Sequence, residues 1–506
     1  MAQLINPILP GFYPDPSICR VEDDFYMVTS SFSYFPGVPV FHSQDLVHWE
    51  QLGHVLDRPS QLPLDWQNIS GGIYAPTIRH HNGRFYMITT NVSHGGDFIC
   101  TAEDPAGPWS EPMYVAGAPG IDPSLFWDED GRCYMTGTTD WGKDAPGVWV
   151  CEVDPDAGRL LGEPTPVWSG ALVNAWAPEA PHLYRKDGWY YLLIAEGGTE
   201  HYHAVTIARS RNVMGPYEGY RGNPILTHRH LGDDYPICNV GHADLVQLRD
   251  GSWYMVMLAS RLNGGYHKNM GRETFIAPVD WSGEWPVVSP GTGRVEWRYP
   301  APDLPATPFL PTEDDRFDAL VWNTLGTPSE EDLRLEGDAL LLRCQARRPA
   351  TGAADPARPN GMLGFYGRRQ QHMRFSATVE ATLPDAPGAA CGLMILQHAF
   401  AHLRIEITRA AEGLEVRAFK GWTEDGQPRE ELLGRCTTPD ETPLLAIVAR
   451  GQLHSLECNG QVVGTALGGF MGSESCGGFV GTYMGPFATG SGEGWARFRR
   501  FVYQGD

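Results

Sequence analysis

The stretch GIDPSLFWDEDG, residues 120–131, contains the element from which the fold can be predicted. It places Asp122 directly before a proline, at the start of an apolar run typical of a β-strand. Neither residue suits a β-ladder, because aspartate is depleted in strands and proline has no N–H to donate. The stretch YPDPSICRVEDDFYM near the N-terminus repeats the arrangement, with Asp15 at the equivalent place. Two copies in one chain indicate an internal repeat.

Alignment on the element x-P-[S/T]-apolar extends the repeat to five copies. Their first residues are Asp15, Ala75, Asp122, Ala180 and His242, at spacings of 60, 47, 58 and 62 residues, and the fifth copy lacks the proline. Each is followed 11 or 12 residues later by a tyrosine in an apolar run, at Tyr26, Tyr86, Tyr134, Tyr191 and Tyr254. The acidic or glycine-bearing turns in between predict that every copy begins with a β-hairpin.

A unit of about four strands repeated at this spacing is the signature of a β-propeller, because one sheet cannot bury both its faces alone. We therefore predict an all-β protein in which residues 1–300 form a five-bladed β-propeller. An unrepeated sandwich, the alternative, does not explain the constant offsets. In a propeller the first strand of each blade lines the central channel, so equivalent residues converge at one end of it.

The pattern changes beyond residue 300. Residues 301–313 are rich in proline and are predicted to be a linker. In residues 314–506, segments such as RFSATVEATL and AHLRIEIT alternate with a period of two, which predicts an antiparallel β-sandwich domain. Residues 350–359, rich in alanine, proline and glycine, are predicted to form a loop.

Composition and charge exclude several classes of function. A formal net charge of −23 over 506 residues, without a basic run, argues against nucleic acid and anionic membrane surfaces as partners. The ten cysteines include no C-x-x-C pair, so a sulfur-bound metal is not expected. The N-terminus lacks the features of a secretion signal and no window is apolar enough to span a membrane, so a cytoplasmic location is expected.

Three acids fall at the channel end of the repeats: Asp15, Asp122 and Glu179, the last one residue before the fourth anchor. Cleavage of a glycosidic bond without a cofactor needs one carboxylic acid to protonate the leaving oxygen and one carboxylate to activate water or attack the sugar. A third, ionised acid would raise the pKa of the proton donor. A single Asp-Pro is more often a turn, so the convergence of three carries the hypothesis.

Aromatic residues near these acids support a sugar site. Phe32, Tyr74 and Trp176 could stack on the C–H faces of a sugar ring, although aromatic side chains in propellers more often pack between blades. A non-catalytic propeller that binds glycans or proteins is the alternative from a different class of function. Fructan hydrolases and sialidases are not favoured, because their N-D-P-N, R-D-P and S-x-D-x-G-x-x-W motifs are missing.

Taken together, YPDPS, GIDPSLFWDEDG, PEAPHLYRKDGWYYLLIAEGGTEHYHAV, VGHADLV and GRETFIAPVDW resemble glycoside hydrolase family 43, in its branch of β-xylosidases and α-L-arabinofuranosidases. RRQQHMRFSATVEATL and GGFVG are similar to the sandwich domain of that branch, so the resemblance covers nearly the whole chain. It implies an inverting enzyme with Asp15 as general base, Asp122 as the acid that modulates pKa and orients, and Glu179 as general acid. It also implies that the sandwich is a concanavalin-like domain that helps to close the active site. A pocket closed in this way would accept only the terminal sugar, so exo action is expected.

The resemblance also implies a set of substrate-binding residues. Arg272 would reach the sugar in the innermost subsite, although an arginine there could simply neutralise the acids. His242 is expected to contact the sugar or, as in some relatives, a central cation, against the alternative of a core histidine. Many β-xylosidases of this branch carry tryptophan where this chain has Tyr74, which leaves specificity for xylose open. The remaining residues of the set are Phe32, Thr199 and Phe479, the last on a sandwich loop that closes the pocket.

The expected substrate is a small oligosaccharide of arabinoxylan or xylan, from which a terminal α-L-arabinofuranose or β-D-xylose is removed. No cofactor is expected to be required for catalysis. A structural Ca²⁺ bound by Asp315, Asp318 and Asp506 is considered, although scattered acids are more often solvated. A homo-oligomer is compatible with the sequence, which does not decide the oligomeric state.

Overall fold

A computed structural model describes residues 2–64, 69–139, 147–171, 176–308, 315–329, 331–344, 364–425 and 427–506. Nearly all regular structure in these ranges is β-strand. The helical exceptions are a single-turn 3₁₀ helix, Gly469–Met471, and a short α-helix, Ser473–Cys476. No helix within them is long and apolar enough to cross a membrane. The loop predicted at residues 350–359 and the end of the predicted linker lie outside the described residues.

Five antiparallel sheets form the blades of a β-propeller, which confirms the fold predicted from the repeat. In each blade the anchor strand pairs with the strand that carries the repeated tyrosine, as the hairpin turns predicted. In chain order the blade strands are Ser17–Val21, Asp24–Val28, Gly37–Ser43 and Glu50–Leu56; Thr77–His81, Arg84–Asn91, Gly96–Ala102 and Met113–Tyr114; Ile121–Trp127, Cys133–Thr138, Val148–Asp154, Arg159–Leu160 and Thr165–Trp168; Glu179–Lys186, Trp189–Glu196, Ala204–Ser210, Glu218–Gly219 and Leu226–Thr227; Ile237–Gln247, Trp253–Arg261, Glu273–Asp280 and Val287–Val288.

The ring of blades is closed by contacts between the first and the last blades and by the chain termini of the propeller. The first strands of the blades contact one another around the ring, including Ser17–Val21 with Ile237–Gln247. Gln3–Ile5 pairs with Arg298–Pro300, so both ends of the propeller sequence meet in one two-stranded sheet. The Asn6 side chain exchanges hydrogen bonds with the backbone of Ile276 in the fifth blade.

A buried ion-pair network fills the channel between the blades. Asp244, in the fifth repeat, is fully buried and accepts hydrogen bonds from Ser17 Oγ at 2.7 Å and Tyr184 Oη at 2.6 Å. Arg79 of the second blade donates to the same carboxylate at 2.8 Å and also reaches Nδ1 of His182 at 2.9 Å. Four blades are therefore joined through one carboxylate, whose pKa remains far below its usual range because these donors outweigh burial.

Two further sheets pack face to face as the β-sandwich. Their inner faces bury one continuous apolar core, which includes Trp322, Leu393, Ile447 and Phe498. The first sheet has the order Gln427–Thr438, Leu414–Glu424, Ala401–Arg409, Ala390–His398, Tyr483–Thr489, Tyr366–Arg369, Asn323–Leu325 and Tyr34–Phe35. The second has the order Leu333–Glu336, Ala339–Arg343, Trp495–Gly505, Arg374–Thr382, Leu444–Arg450, Leu453–Cys458 and Gln461–Leu467.

The propeller supplies the last strand of the first sandwich sheet. Tyr34–Phe35, which leaves the first blade between its second and third strands, pairs with Asn323–Leu325 of the sandwich. The Tyr34 ring stacks on Tyr483 with centroids 3.7 Å apart. Residues from both regions, among them Phe12, Phe32, Leu396 and Val480, form one buried cluster. The sandwich is thus joined to the propeller through a shared core rather than through a linker alone.

Replacement of Arg79 by Met should destabilise the propeller by about 3 to 5 kcal/mol, because the fully buried Asp244 loses its only compensating guanidinium among the described residues. The free energy of unfolding from urea denaturation measures the loss. Arg84→Met is the matched control: its pair with Asp156 is roughly half exposed, and loss of such a pair costs at most about 1 kcal/mol. Equal effects of the two substitutions would contradict the structural role assigned to the channel network.

Candidate active site

Four of the five residues at the first position of the repeat adopt an unusual backbone conformation. Asp15, Asp122, Ala180 and His242 have φ values of 56°, 55°, 54° and 44°, in the left-handed region that non-glycine residues rarely occupy. In blades three, four and five this residue lies at a register shift of the first strand, so an extra residue is inserted there. Such bulges bend the strand and re-aim its side chains, here at the end of the channel.

This geometry corrects one expectation about the Asp-Pro element. The sequence places it at the start of the apolar run, which predicts that it lies at the beginning of the strand. That describes blade one, where the strand begins at Ser17, but in blade three the element lies inside Ile121–Trp127. It is accommodated between the pairs Ile121–Thr138 and Ser124–Thr136 as a bulge, which leaves proline without a ladder hydrogen bond to make.

The three acids line one pocket at this end of the propeller. Asp15, Asp122 and Glu179 face the same cavity, and each is at most 6% exposed. All six further residues that the sequence and its resemblance nominate also line this cavity: Phe32, Tyr74, Thr199, His242, Arg272 and Phe479. The rest of the lining consists of Ala75, Ile121, Trp176 and Gly198. Trp176 was nominated for sugar stacking, and the structure puts it at the same pocket.

Asp15 is held as an ionised carboxylate. Its Oδ1 accepts a hydrogen bond from Arg272 Nη1 at 2.8 Å, and its Oδ2 accepts one from Ser30 Oγ at 2.6 Å. Nδ1 of His242 lies 3.7 Å from the same Oδ1. Burial alone would raise the pKa of Asp15, but Arg272, His242 and Ser30 together hold it below its usual value. The pocket therefore contains one carboxylate that is ionised and held in a fixed orientation.

Glu179, in contrast to Asp15, is held in its protonated form. Burial raises its pKa well above the usual value, and the negative charges of Asp122 and then Asp15 raise it further, against an opposing effect of Arg272. Asp122 also has a raised pKa, from burial and from Asp15, although the N–H of Ala180 donates to its Oδ2 at 3.1 Å. Since Ala180 follows Glu179, Asp122 fixes the backbone that carries Glu179. The pocket thus pairs an ionised base with an acid that retains its proton.

Arg272 connects the acids to the walls of the pocket. Its Nη1 also donates to Thr199 Oγ1 at 3.1 Å, and its Nη2 donates to the backbone carbonyl of Phe479 at 3.3 Å. The guanidinium carbon lies 5.4 Å from the centre of the Phe32 ring. The arginine therefore orients Asp15 from a position fixed by the propeller and the sandwich together.

The aromatic wall combines residues of both regions. The Phe32 and Tyr74 ring centres lie 5.0 Å apart, and the Phe479 ring lies 6.4 and 6.3 Å from them, respectively. The Tyr74 hydroxyl donates to the Ser70 carbonyl at 2.8 Å, so its polar end is already hydrogen-bonded to the protein. Ser70 Oγ in turn accepts a hydrogen bond from the Phe479 N–H at 2.9 Å.

The sandwich loop that carries Phe479 is docked tightly on the propeller. The backbone of Gly481 meets that of Met270 and Gly271 so closely that a Cβ on Gly481 would lie 2.4 Å from the Met270 carbonyl oxygen. Directly beside this contact, Thr482 N donates to the Asn269 carbonyl at 2.8 Å. From the sandwich side, Gln397 Nε2 donates to the carbonyls of Gly477 and Val480. The loop is therefore fixed as one wall of the pocket.

Several of these supporting residues could not be found in the sequence. Ser30, Ser70 and Gln397 make contacts that hold the site together, but none belongs to a repeated element or an unusual motif.

The acids considered for Ca²⁺ form separate ion pairs. Asp318 pairs with Arg316, Asp315 with Arg368, and Asp506 lies 4.0 Å from Arg374. No cluster of three or more potential metal ligands occurs among the described residues, and a structural Ca²⁺ stays a prediction.

Comparison with known families matches both regions of the chain. Residues 4–286 match the model of glycosyl hydrolases family 43, and residues 314–504 match the beta xylosidase C-terminal concanavalin A-like domain. A xylosidase/arabinosidase of Butyrivibrio fibrisolvens is 48% identical over 432 residues, which cover 81% of each chain. A non-reducing end alpha-L-arabinofuranosidase of Bacteroides ovatus is 38% identical over 96% of this chain and 92% of its own.

Solved structures show the same architecture. The Bacteroides ovatus protein described as xyloglucan PUL GH43B superposes with a TM-score of 0.89 at 35% identity, over the full length of both chains. The xylan beta-1,4-xylosidase of Bacillus halodurans superposes with a TM-score of 0.89 at 33% identity, over 99% of this chain and all of its own. Propeller and sandwich therefore occur together, in this order, in the relatives.

The electrostatics of the pocket predict how Glu179 titrates. Asp122→Asn removes a negative charge beside Glu179 but retains an oxygen for the Ala180 N–H, so the pKa of Glu179 should fall. A fall of roughly one to two pH units is expected, since buried charges a few ångströms apart interact by a few kcal/mol at an effective dielectric of about 20. Carbon-13 NMR of labelled glutamate carboxyls, assigned with Glu179→Gln, measures it. Asp130→Asn, on an exposed turn, is the control, and an unchanged titration in Asp122→Asn would contradict the coupling.

Proposed function

The chain belongs to glycoside hydrolase family 43, and from this premise we propose that it is an inverting, exo-acting pentosidase. It would remove terminal α-L-arabinofuranose, β-D-xylose or both from the non-reducing ends of arabinoxylan or xylo-oligosaccharides. One observation carries the proposal: a single sugar-sized pocket contains an ionised carboxylate, Asp15, and a proton-bearing acid, Glu179. These are the two groups that hydrolysis of a glycosidic bond requires.

In the proposed reaction Glu179 donates its proton to the glycosidic oxygen while the bond from that oxygen to the anomeric carbon breaks. Asp15 takes a proton from a water molecule whose oxygen forms the new bond to the same carbon, from the opposite face. The sugar leaves with inverted configuration, Glu179 is left ionised and Asp15 protonated, and proton exchange with solvent resets both. Asp122 orients the Glu179 segment and favours its protonated form, and Arg272 favours the ionised form of Asp15.

The proposal that the terminal sugar is a pentose is supported by the relatives and by the apolar wall of the pocket. The Butyrivibrio relative is described as acting on both sugars, the Bacteroides relative as an arabinofuranosidase. Phe32, Tyr74 and Phe479 give the pocket a mostly apolar wall, and the hydrogen bond of the Tyr74 hydroxyl to Ser70 turns its polar end to the protein. Such a wall suits a pentose, since a xylopyranose has no exocyclic hydroxymethyl group and an arabinofuranose carries its hydroxymethyl group on a smaller, five-membered ring.

A non-catalytic glycan-binding propeller remains the second candidate, and a small substrate set separates the two. We expect the enzyme to release pentose from aryl α-L-arabinofuranosides, aryl β-D-xylopyranosides or both, and proton NMR should detect the inverted anomer first. Glu179→Gln should lower kcat/KM on an oligosaccharide by roughly 10²- to 10⁴-fold, because general acid catalysis contributes about this much. The loss should be far smaller with a 2,4-dinitrophenyl leaving group, which needs no protonation.

Glu163→Gln, on an exposed turn, is the control for this substitution and should retain activity. Binding of xylo-oligosaccharides without turnover in the native protein would favour the non-catalytic candidate. Initial release of the anomer with retained configuration would disprove the assignment of Asp15 as a base acting on water.

The acidic limb of the pH profile of kcat/KM should depend on the pKa of Asp15. As a base it works ionised, so kcat/KM is retained above its pKa and falls as the pH drops through it. Ser30→Ala removes a hydrogen bond that favours the ionised form, which raises this pKa and moves the acidic limb to higher pH. The expected shift is about one pH unit, since a hydrogen bond to a charged group is worth about 1.5 to 3 kcal/mol.

Ser31→Ala is the matched control for this measurement. The Ser31 hydroxyl lies next to Ser30 in the chain but has no hydrogen-bond partner among the described residues. Its removal should leave the acidic limb in place. A shift of the alkaline limb alone in Ser30→Ala would show that Asp15 does not act as the base.

A further inference from the structure

The mouth of the pocket carries a large exposed aromatic side chain that the proposed mechanism does not use. Trp176 lines the same cavity as the three acids and is 58% exposed, whereas Phe32, deeper in the wall, is 2% exposed. An exposed indole costs free energy in water, and apolar side chains exposed in a ligand pocket commonly form part of the binding surface. Trp176 is therefore a candidate for contact with a part of the substrate outside the innermost subsite.

The position of the indole is fixed by the loop on which it lies. Gly198 packs directly under the ring, and a Cβ at this residue would come within 2.3 Å of Trp176 Cζ2. Gly197 N donates to the Trp176 carbonyl at 2.8 Å, which ties the segment to the loop that also carries Thr199. Thr199 in turn accepts a hydrogen bond from Arg272. The indole ring is therefore held at a fixed position relative to the proposed catalytic groups, as a binding surface for substrate requires.

The chemistry decides which part of the substrate the ring would meet. The proton of Glu179 must reach the glycosidic oxygen, the atom that joins the terminal pentose to the rest of the chain. The leaving group must consequently extend from the Glu179 side of the pocket toward the open mouth. Trp176 precedes Glu179 by three residues and occupies the lining at the exposed end. The sugar next to the cleaved bond would thus lie against the indole.

We propose that Trp176 is the platform of the leaving-group subsite, on which the C–H face of the sugar next to the scissile bond stacks. This inference rests on the proposed function and deepens it, because it assigns the specificity for the leaving group to one side chain. The enzyme should then favour leaving groups that contain a sugar ring over leaving groups without one. The terminal pentose itself remains bound by the buried part of the pocket.

Two substrates with the same terminal pentose test the proposal. One is an oligosaccharide, such as xylobiose or arabinofuranosyl-xylotriose, and the other is the methyl glycoside, whose leaving group has no ring. Trp176→Ala should lower kcat/KM on the oligosaccharide by roughly 10- to 100-fold, which corresponds to about 1.4 to 2.7 kcal/mol. It should change the value for the methyl glycoside less than about twofold. Trp176→Phe should recover part of the loss, since it restores an aromatic face.

A binding measurement gives a second readout that does not depend on turnover. In the Glu179→Gln background, calorimetry should show tighter binding of the oligosaccharide than of the free pentose, and Trp176→Ala should abolish that difference. Trp297→Ala is the matched control, because it removes another exposed indole from outside the pocket lining. It should leave both substrates and the binding difference unchanged.

The possible results distinguish a failure of this inference from a failure of the proposed hydrolase function. Equal losses on both substrates in Trp176→Ala would show that the indole only supports the pocket wall, and no loss on either would show that it has no role; both overturn the proposal. If the native protein cleaves neither substrate, the proposed function fails, and this inference fails with it. A loss confined to the oligosaccharide, with the binding difference abolished, supports the assignment.

Discussion

Three carboxyl groups buried around one arginine are the constraint on which the rest of this structure depends. Asp15, Asp122 and Glu179 share a cavity with Arg272, so a single guanidinium faces three potential negative charges. Ionised carboxylates are costly to bury, and the site cannot hold all three in that form. Asp15 binds the arginine and stays ionised, whereas Glu179, which has no comparable partner among the described residues, retains its proton. Acid and base are thus differentiated by their surroundings.

The backbone that presents these groups is itself under constraint. Left-handed φ angles at Asp15, Asp122 and Ala180 cost about 1 to 2 kcal/mol each, and they persist because the blades around them are tightly packed. In blades one and three the left-handed residue itself carries the carboxylate. In blade four it is Ala180, and the carboxylate belongs to the preceding Glu179. The proposed proton donor therefore leaves the backbone one residue earlier than the other two acids, on a longer side chain.

The sandwich contributes to the site as directly as the blades do. Its loop places Phe479 in the pocket wall and offers a backbone carbonyl to Arg272. The same region shares a core with Phe32 through Leu396, Val480 and Tyr483, and it takes one strand from the first blade. Because the arginine that orients the base is held from both sides, the packing of the two regions against each other sets the geometry of the acids.

The sequence by itself determined the repeat, and with it the five blades, the hairpin at each anchor and the convergence of Asp15, Asp122 and Glu179. These features follow from the spacing of residues, because a strand period of two and a fixed offset to a tyrosine can be recognised in the sequence itself. It did not determine that the Asp-Pro element of blade three lies inside a strand as a bulge, or that Asp315, Asp318 and Asp506 face different arginines. Only the tertiary structure decided these, together with the contacts of Ser30, Ser70 and Gln397 and the exposed position of Trp176. Contacts between distant segments depend on distances of a few ångströms, which arise from the packing of whole sheets and leave no periodic trace in the sequence.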